Sequence, residues 1–362
     1  MKKTERTIKR LSTPKKILVA ILALLVFLIV GSGLFVLIKM YGMSIHATKT
    51  VAKPTVSPYD TPDPGLQDID GDPDLSRDYD PDLDPSLIYN DPIYLQDAID
   101  PDVVNILVLG TDTRGNGDVG RSDVMLIVSY NQRLNTVKAV SVLRDTWIYL
   151  PGRSLWNRVN TAYRFGGIGL AINTININFE LDIQYYMLTD FENLVKIVDS
   201  VGGLDLQLSD AEVEYYSERS TTPLQLVEGT TNTYHMDGEQ VLMHCRNRTI
   251  GNGDWSRTER QRDVMNAFLV RAKQESSVSS VASLVYRLMG YVETNLSPWQ
   301  MMAIATNLVF GPGANGIVRA TLPCPGSWSY AYESSMAVIS IDIEMNKRWI
   351  HELFYGVYRD GN

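Results

Sequence analysis

Apolar and polar positions divide the chain into three stretches. The first holds an uncharged run of 22 residues, Ile17 to Ile38. At 1.5 Å per residue, such a run reaches across a bilayer core. Between residues 41 and 102 no apolar periodicity survives. From residue 103 onward, short apolar runs alternate with longer helical patterns. Val103–Gly110, Asp123–Tyr130, Thr136–Leu143, Tyr185–Leu188, Gln240–Cys245 and Gly316–Leu322 read as strands. Val159–Glu180, Asp190–Val201, Arg257–Lys273, Val278–Glu293, Pro298–Val309 and Ile343–Tyr355 read as helices. Strands interleaved with helices predict an α/β fold whose sheet is covered on both faces, with ligands gathering at the strand ends.

Charge gives these stretches an address. Lys2, Lys3, Arg6, Lys9, Arg10, Lys15 and Lys16 precede the apolar run. The positive-inside rule then predicts a cytoplasmic tail over 1–16, a transmembrane anchor over 17–39 and everything later outside the cell membrane. A cleaved signal peptide is the alternative, but Ile45-His46-Ala47-Thr48 is a poor cleavage site. From Asp60 to Asp102 there are 14 aspartates and one basic residue, Arg77. This composition buries too little apolar surface to repay ordering, so 40–102 is expected to be a disordered acidic linker. Asp68, Asp70, Asp72 and Asp74 resemble a calcium loop, but Gly71 is misplaced and the twelfth position is Tyr79. The net charge of −9 reflects mainly the linker, and no basic stripe points to nucleic acid. The catalytic domain is expected over 103–356, with core motifs in 103–275 and a C-terminal part in 276–356.

Arginine chemistry narrows the function. Between residues 103 and 275 there are 14 Arg against 3 Lys. Guanidinium is a rigid fork that grips phosphate oxygens two at a time. The candidate set comprises Asp112, Arg114, Arg121, Asp123, Arg144, Asp145, Arg246, Arg248, Arg257, Arg260, Gln261 and Arg262. Helical spacing lets Arg257 and Gln261 face one site. Arg246 and Arg248, two apart after an expected strand, can point to one side. Arg133, Arg219 and Arg271 read as ordinary solvated or salt-bridged arginines. Two carboxylates near arginines are a common seat for a hard divalent ion that also touches phosphate, so Asp112 and Asp123 are candidate ligands for Mg²⁺ or Mn²⁺.

Other chemistries find less support. Gly115-Asn-Gly117-Asp-Val-Gly120 matches the dinucleotide fingerprint, but the following Val124–Val128 is strand-like where that motif needs a helix. The four histidines, at 46, 235, 244 and 351, have no zinc spacing, and no Gly-x-Ser-x-Gly elbow exists. His244 reads as a packing residue. Two cysteines outside the cell permit one disulfide, Cys245–Cys324.

Several motifs, in order, resemble the LytR-CpsA-Psr family. They are Asn105–Arg114, Gly120–Asp123, Ser141–Asp145, Asn160–Tyr163 with Phe165–Gly167, Asp190-Phe191, Val198–Gly203, Asp237–Gln240, Arg246–Arg248 and Asp254–Gln261. Beyond residue 280 the resemblance rests chiefly on Thr294–Ser297. It implies a membrane-anchored α-β-α sandwich with a central mixed sheet. It also implies transfer of a glycopolymer from a polyprenyl-pyrophosphate carrier onto a peptidoglycan acceptor, with a divalent metal and a pyrophosphatase side activity. By motif position it puts Asp112 and Asp123 at the metal. Arg114, Arg121, Arg144, Arg246, Arg248, Arg257 and Gln261 fall around the phosphates. Asp123, Arg144 and Arg257 are the expected catalytic residues. Thr111 stands where serine is commoner. Two rival readings stay open: a hydrolase of the same carrier that uses water, and a non-catalytic envelope regulator.

Overall fold

The core explains the apolar periodicity. Leu107, Leu109, Met125, Ile127, Val140, Val142, Tyr186 and Leu322 are buried together on one face of a sheet. Alternation along each strand sends the intervening side chains, such as Val108, Val124 and Met187, to the opposite face. The computed structural model describes residues 50–52, 91–111, 122–153, 155–251, 254–275, 277–311, 317–333 and 336–356. All of these belong to one unit, Ile45–Asn362. The expected cytoplasmic tail and anchor lie outside the described residues, as does much of the expected linker. Among the described residues no helix is long and apolar enough to cross a membrane.

The sheet has six strands in the spatial order Glu293–Thr294, Tyr185–Asp190, Val103–Thr111, Ser122–Asn131, Thr136–Val142 and Ile317–Leu322. Val103–Thr111 runs parallel to Tyr185–Asp190 and antiparallel to Ser122–Asn131, and Thr136–Val142 runs parallel to Ile317–Leu322. The sheet is therefore mixed, as expected. Its register gathers one set of ends: Thr111 lies opposite both Ser122 and Asp190, and Thr136–Val142 finishes at the same edge.

One face is covered by the helices Thr161–Phe179 and Ile343–Tyr355, which contribute Ile168, Leu170, Ile172, Ile175, Phe179, Ile350 and Phe354 to the core. Gly166 and Gly167 break the first of these into two helical pieces, with Gly167 at φ +60°. The other face carries a second apolar core. Val198 of the Phe191–Ser200 helix meets Tyr216, Val241, Val264 and Leu284 from four further helices there.

Three expectations are corrected. Gln240–Cys245 is not a strand but part of the helix Gly238–Arg246. Its start is set by a capping box, in which Asp237 accepts from the Gln240 N–H and Gln240 accepts from the Asp237 N–H. The folded part also begins before residue 103. Ile93 is fully buried, the Tyr94 N–H donates to Asn173 at 2.9 Å, and Arg153 pairs with Asp91 at 2.9 Å. Gly169 makes this docking possible, because a Cβ there would lie 1.7 Å from the Asp91 carbonyl oxygen. Ile93–Leu95 pairs in parallel with Thr50–Ala52, so even part of the acidic stretch has a strand partner.

The third correction is the disulfide: Cys245 and Cys324 are both free and buried. Cys245 packs among Val198, Tyr216 and Val264 in the second core. Cys324 sits beside the Ile343–Tyr355 helix, where its N–H donates to Asn346 at 2.8 Å. Different packing layers hold the two thiols, and burial pushes the Cys245 thiol up to about 12.

Candidate functional site

The gathered strand ends present charge. Asp123 is the second residue of the Ser122–Asn131 strand, and Arg144 and Asp145 follow the end of Thr136–Val142. Arg144 donates to Asp123 at 3.1 Å and lies 3.5 Å from Asp145. Arg158 reaches Asp145 at 3.5 Å and donates to the Ala337 carbonyl at 2.7 Å. Arg248 stands 3.9 Å from the same Asp123 oxygen that Arg144 contacts. Both carboxylates thus act as spacers that fix guanidinium groups side by side against their mutual repulsion.

Two helices supply the rest. Arg257 lies in the first turns of Asp254–Ala272 and is only 4% exposed. Gln261, one turn on, donates to the Cys245 carbonyl at 3.3 Å, which ties this helix to Gly238–Arg246. At the C-terminus of that second helix, Arg246 stacks over Phe191 at 4.8 Å. Asn247 then turns extended, at φ −65° and ψ 124°, which brings Arg248 to the same cavity as Arg246. The convergence expected from a strand is therefore met by a helix end. Arg144, Arg246, Arg248, Arg257, Gln261 and Asp123 all line one cavity of 1110 Å³. Asp112, Arg114 and Arg121 lie outside the described residues.

Two members of the candidate set do not reach the cavity. Arg260 donates to Glu212 at 2.6 Å and to the carbonyls of Asn247 and Ile250. Arg262 donates to the Ala320 carbonyl at 2.9 Å and also contacts Thr321. Both are structural clips, because successive helix positions point about 100° apart and only Arg257 and Gln261 share the inward face. Arg133, Arg219 and Arg271 make the ordinary contacts expected of them, with Asp102, Glu218 and the Val201 carbonyl. His244 is a packing residue: it meets the Tyr216 hydroxyl at 3.0 Å, and burial pulls it down to about 4.

Arg158 joins the site without having been singled out in the sequence, and Asn160, noted there only as the start of the Asn160–Tyr163 motif, joins it as well. Asn160 is 4% exposed and lines the cavity, and its side-chain oxygen has no hydrogen-bond partner among the described residues. Its backbone N–H donates to the Arg144 carbonyl at 3.3 Å. The visible signal was the Arg-x-Asn spacing directly before the Thr161–Phe179 helix.

The cavity is two-sided in chemistry. Away from the arginines it runs between the sheet residues Val108 and Met187 and the helical residues Leu194, Ile197, Val264, Met265, Phe268 and Leu288. One end thus suits a polyanion and the other a hydrocarbon. As for a metal, Asp123 brings a carboxylate to the polar end, and the contacts from Arg144 and Arg248 fall on its Oδ1. An oxygen-only donor at a phosphate site fits a hard divalent ion. Among the described residues no cluster of three metal-ligating side chains occurs.

Known proteins share this architecture. The solved Bacillus subtilis TagV has a TM-score of 0.58 at 23% identity, covering 72% of this chain and all of that one. A structure of TagT bound to LI-WTA has a TM-score of 0.57 at 20% identity, covering 71% of this chain and 90% of that one. In sequence, the chain is 33% identical over 205 residues to the polyisoprenyl-teichoic acid–peptidoglycan teichoic acid transferase TagU of Bacillus mycoides. That match covers 56% of this chain and 64% of the relative. The LytR_cpsA_psr family model matches residues 89–347, beginning just before the docked segment at Asp91. With the mixed sheet, the arginine cluster and this match over most of its length, the chain belongs to the LytR_cpsA_psr family.

Proposed function

We propose that this protein transfers a glycopolymer from a polyprenyl-pyrophosphate carrier to peptidoglycan. One observation carries the reading: a single cavity joins five arginines at one end, counted among the described residues, to an apolar channel between sheet and helices. A pyrophosphate with a long hydrocarbon tail matches both ends at once. The names of its relatives as teichoic acid transferases support the same class of reaction.

The chemistry asks little of the protein beyond charge and position. An acceptor hydroxyl attacks the sugar-linked phosphorus, forming a P–O bond as its proton departs. The bridging P–O bond breaks, and polyprenyl phosphate leaves. Arg144, Arg248 and the buried Arg257 neutralise charge developing on the phosphate oxygens. Asp123 holds Arg144 in place, and its carboxylate can take the hydroxyl proton. Asp112 and Asp123 would hold Mg²⁺ or Mn²⁺, and the bound ion would add further neutralising charge. Anchorage by residues 17–39, with the domain outside the cell membrane, rests on the apolar run and its basic flank.

The test incubates the full chain with lipid-linked polymer, Mg²⁺ and soluble peptidoglycan oligomers. A covalent polymer–peptidoglycan product together with polyprenyl phosphate is expected. Release of free phosphorylated polymer alone would make the protein a hydrolase. An untouched carrier would refute both activities and leave the regulatory reading.

A further inference from the structure

A smaller cavity of 290 Å³ adjoins the first. The two share Asp123, Arg144, Asp145, Arg257 and Gln261. They reach these residues between different walls. The larger uses the helices Phe191–Ser200 and Val278–Leu288, whereas the smaller uses Trp255, Thr258 and the hairpin of Trp328–Glu333 with Met336–Ile341. A displacement at phosphorus needs separate approaches for the entering and the leaving group. If the lipid side leaves through the apolar channel, the second cavity serves the entering hydroxyl.

The hairpin beside this cavity carries an unusual surface. Trp328, Tyr330 and Tyr332 alternate along one strand and so share a face. Tyr330 is 71% exposed and Tyr332 81%. Trp255 packs on Trp328 with ring centroids 5.1 Å apart, and its indole N–H donates to the Tyr330 hydroxyl at 3.3 Å. Trp328 and Tyr330 meet edge to face at 5.2 Å, so each ring is braced by the next. Four residues of strand span about 13 Å, the length of a short run of sugar rings. Exposed, ordered aromatic rings with hydroxyl tips suit a ligand that is apolar on its ring faces and polar at its edges. A sugar has that make-up, because its axial C–H groups meet the negative π face while its hydroxyls find polar partners.

We infer that the Trp255, Trp328, Tyr330 and Tyr332 face, with the adjoining cavity, binds the acceptor: a chain of N-acetylated amino sugars whose hydroxyl enters at Arg144 and Arg257. This rests on the transfer reading above. The test titrates the full chain in detergent with a β-1,4-linked N-acetylglucosamine hexamer, followed by tryptophan fluorescence. A parallel titration uses undecaprenyl pyrophosphate. Tyr330→Ala and Tyr332→Ala should each weaken hexamer binding about tenfold and raise the acceptor KM, while carrier binding stays unchanged. No hexamer binding by the wild type, or equal binding by both variants, overturns the inference. So does a change of oligomeric state in the variants without loss of hexamer binding, which would make the face a contact between copies. Failure of the wild type to bind the carrier while hexamer binding holds would sink the transfer reading instead.

Discussion

Replacing Arg144 by alanine separates catalysis from stability. The side chain lies 3.1 Å from Asp123 and 3.5 Å from Asp145, and all three are about a quarter exposed. Ion pairs this wet contribute roughly 0–1 kcal/mol each. Both carboxylates also keep a second guanidinium, Arg248 at 3.9 Å and Arg158 at 3.5 Å. The expected loss of stability is therefore about 1 kcal/mol, a fall in Tm of roughly 2–4 °C for a domain of this size. The loss of transition-state stabilisation should be larger, at ~2–4 kcal/mol, because in the proposed reaction the guanidinium would meet developing charge in a sheltered cavity. That corresponds to a roughly 30- to 1000-fold drop in kcat/KM. Arg144→Lys should fall between the two, since an ammonium keeps the charge and loses the fork. The assay follows release of polyprenyl phosphate alongside thermal unfolding of the same samples. Turnover within about threefold of wild type, or a loss that tracks the unfolded fraction, would refute the assignment. Arg133→Ala, at a surface pair with Asp102, should leave turnover intact.

Further outcomes follow from the same geometry. Manganese binding, followed by paramagnetic resonance with inorganic pyrophosphate present, should weaken in Asp112→Asn and in Asp123→Asn; unchanged binding in both would place the ion elsewhere. Gly169→Ala should lower stability by more than about 2 kcal/mol or release the segment around Ile93 to proteolysis, since its Cβ would overlap the Asp91 carbonyl; wild-type melting would contradict the docking. His244 titrates at about 4 in the fold, below its ordinary value of 6.5, so the unfolded chain binds more protons between those values. Its contribution is complete above pH 6.5 and is lost as the pH falls towards 4, amounting to about 3 kcal/mol. Denaturation midpoints that stay flat over that range in the wild type, or that fall equally in His244→Gln, would count against it. Finally, Cys245 and Cys324 should resist alkylation in the native protein and both react once it is unfolded without reductant; a bridged pair would stay unreactive.

Much of the site was legible because its chemistry is local. Arg144 follows a β run directly, and Arg257 and Gln261 sit one helical turn apart, so periodicity alone aims them. The sheet strands were legible for the same reason, since alternating burial writes itself into Val103–Thr111 and Ser122–Asn131. The Gly238–Arg246 helix is hard to read from sequence because its short run, Val241 to Cys245, has no period long enough to choose between helix and strand. The Asp237–Gln240 capping box decided it.

The long strands and helices, and the arginine excess that calls for a polyanion, can be read from the chain. Which arginines serve the cavity depends on how those elements pack. Arg260 and Arg262 are spent on Glu212 and on the edge strand, while Arg158, unremarkable in the sequence, is drawn in by Asp145. Packing also decides that Ile93 belongs to the core and that the two thiols never meet. The physical reason is common to all these cases. Spacing along the chain sets which way a side chain points from its own element. What that side chain finds there depends on elements tens or hundreds of residues away, whose approach is settled by packing.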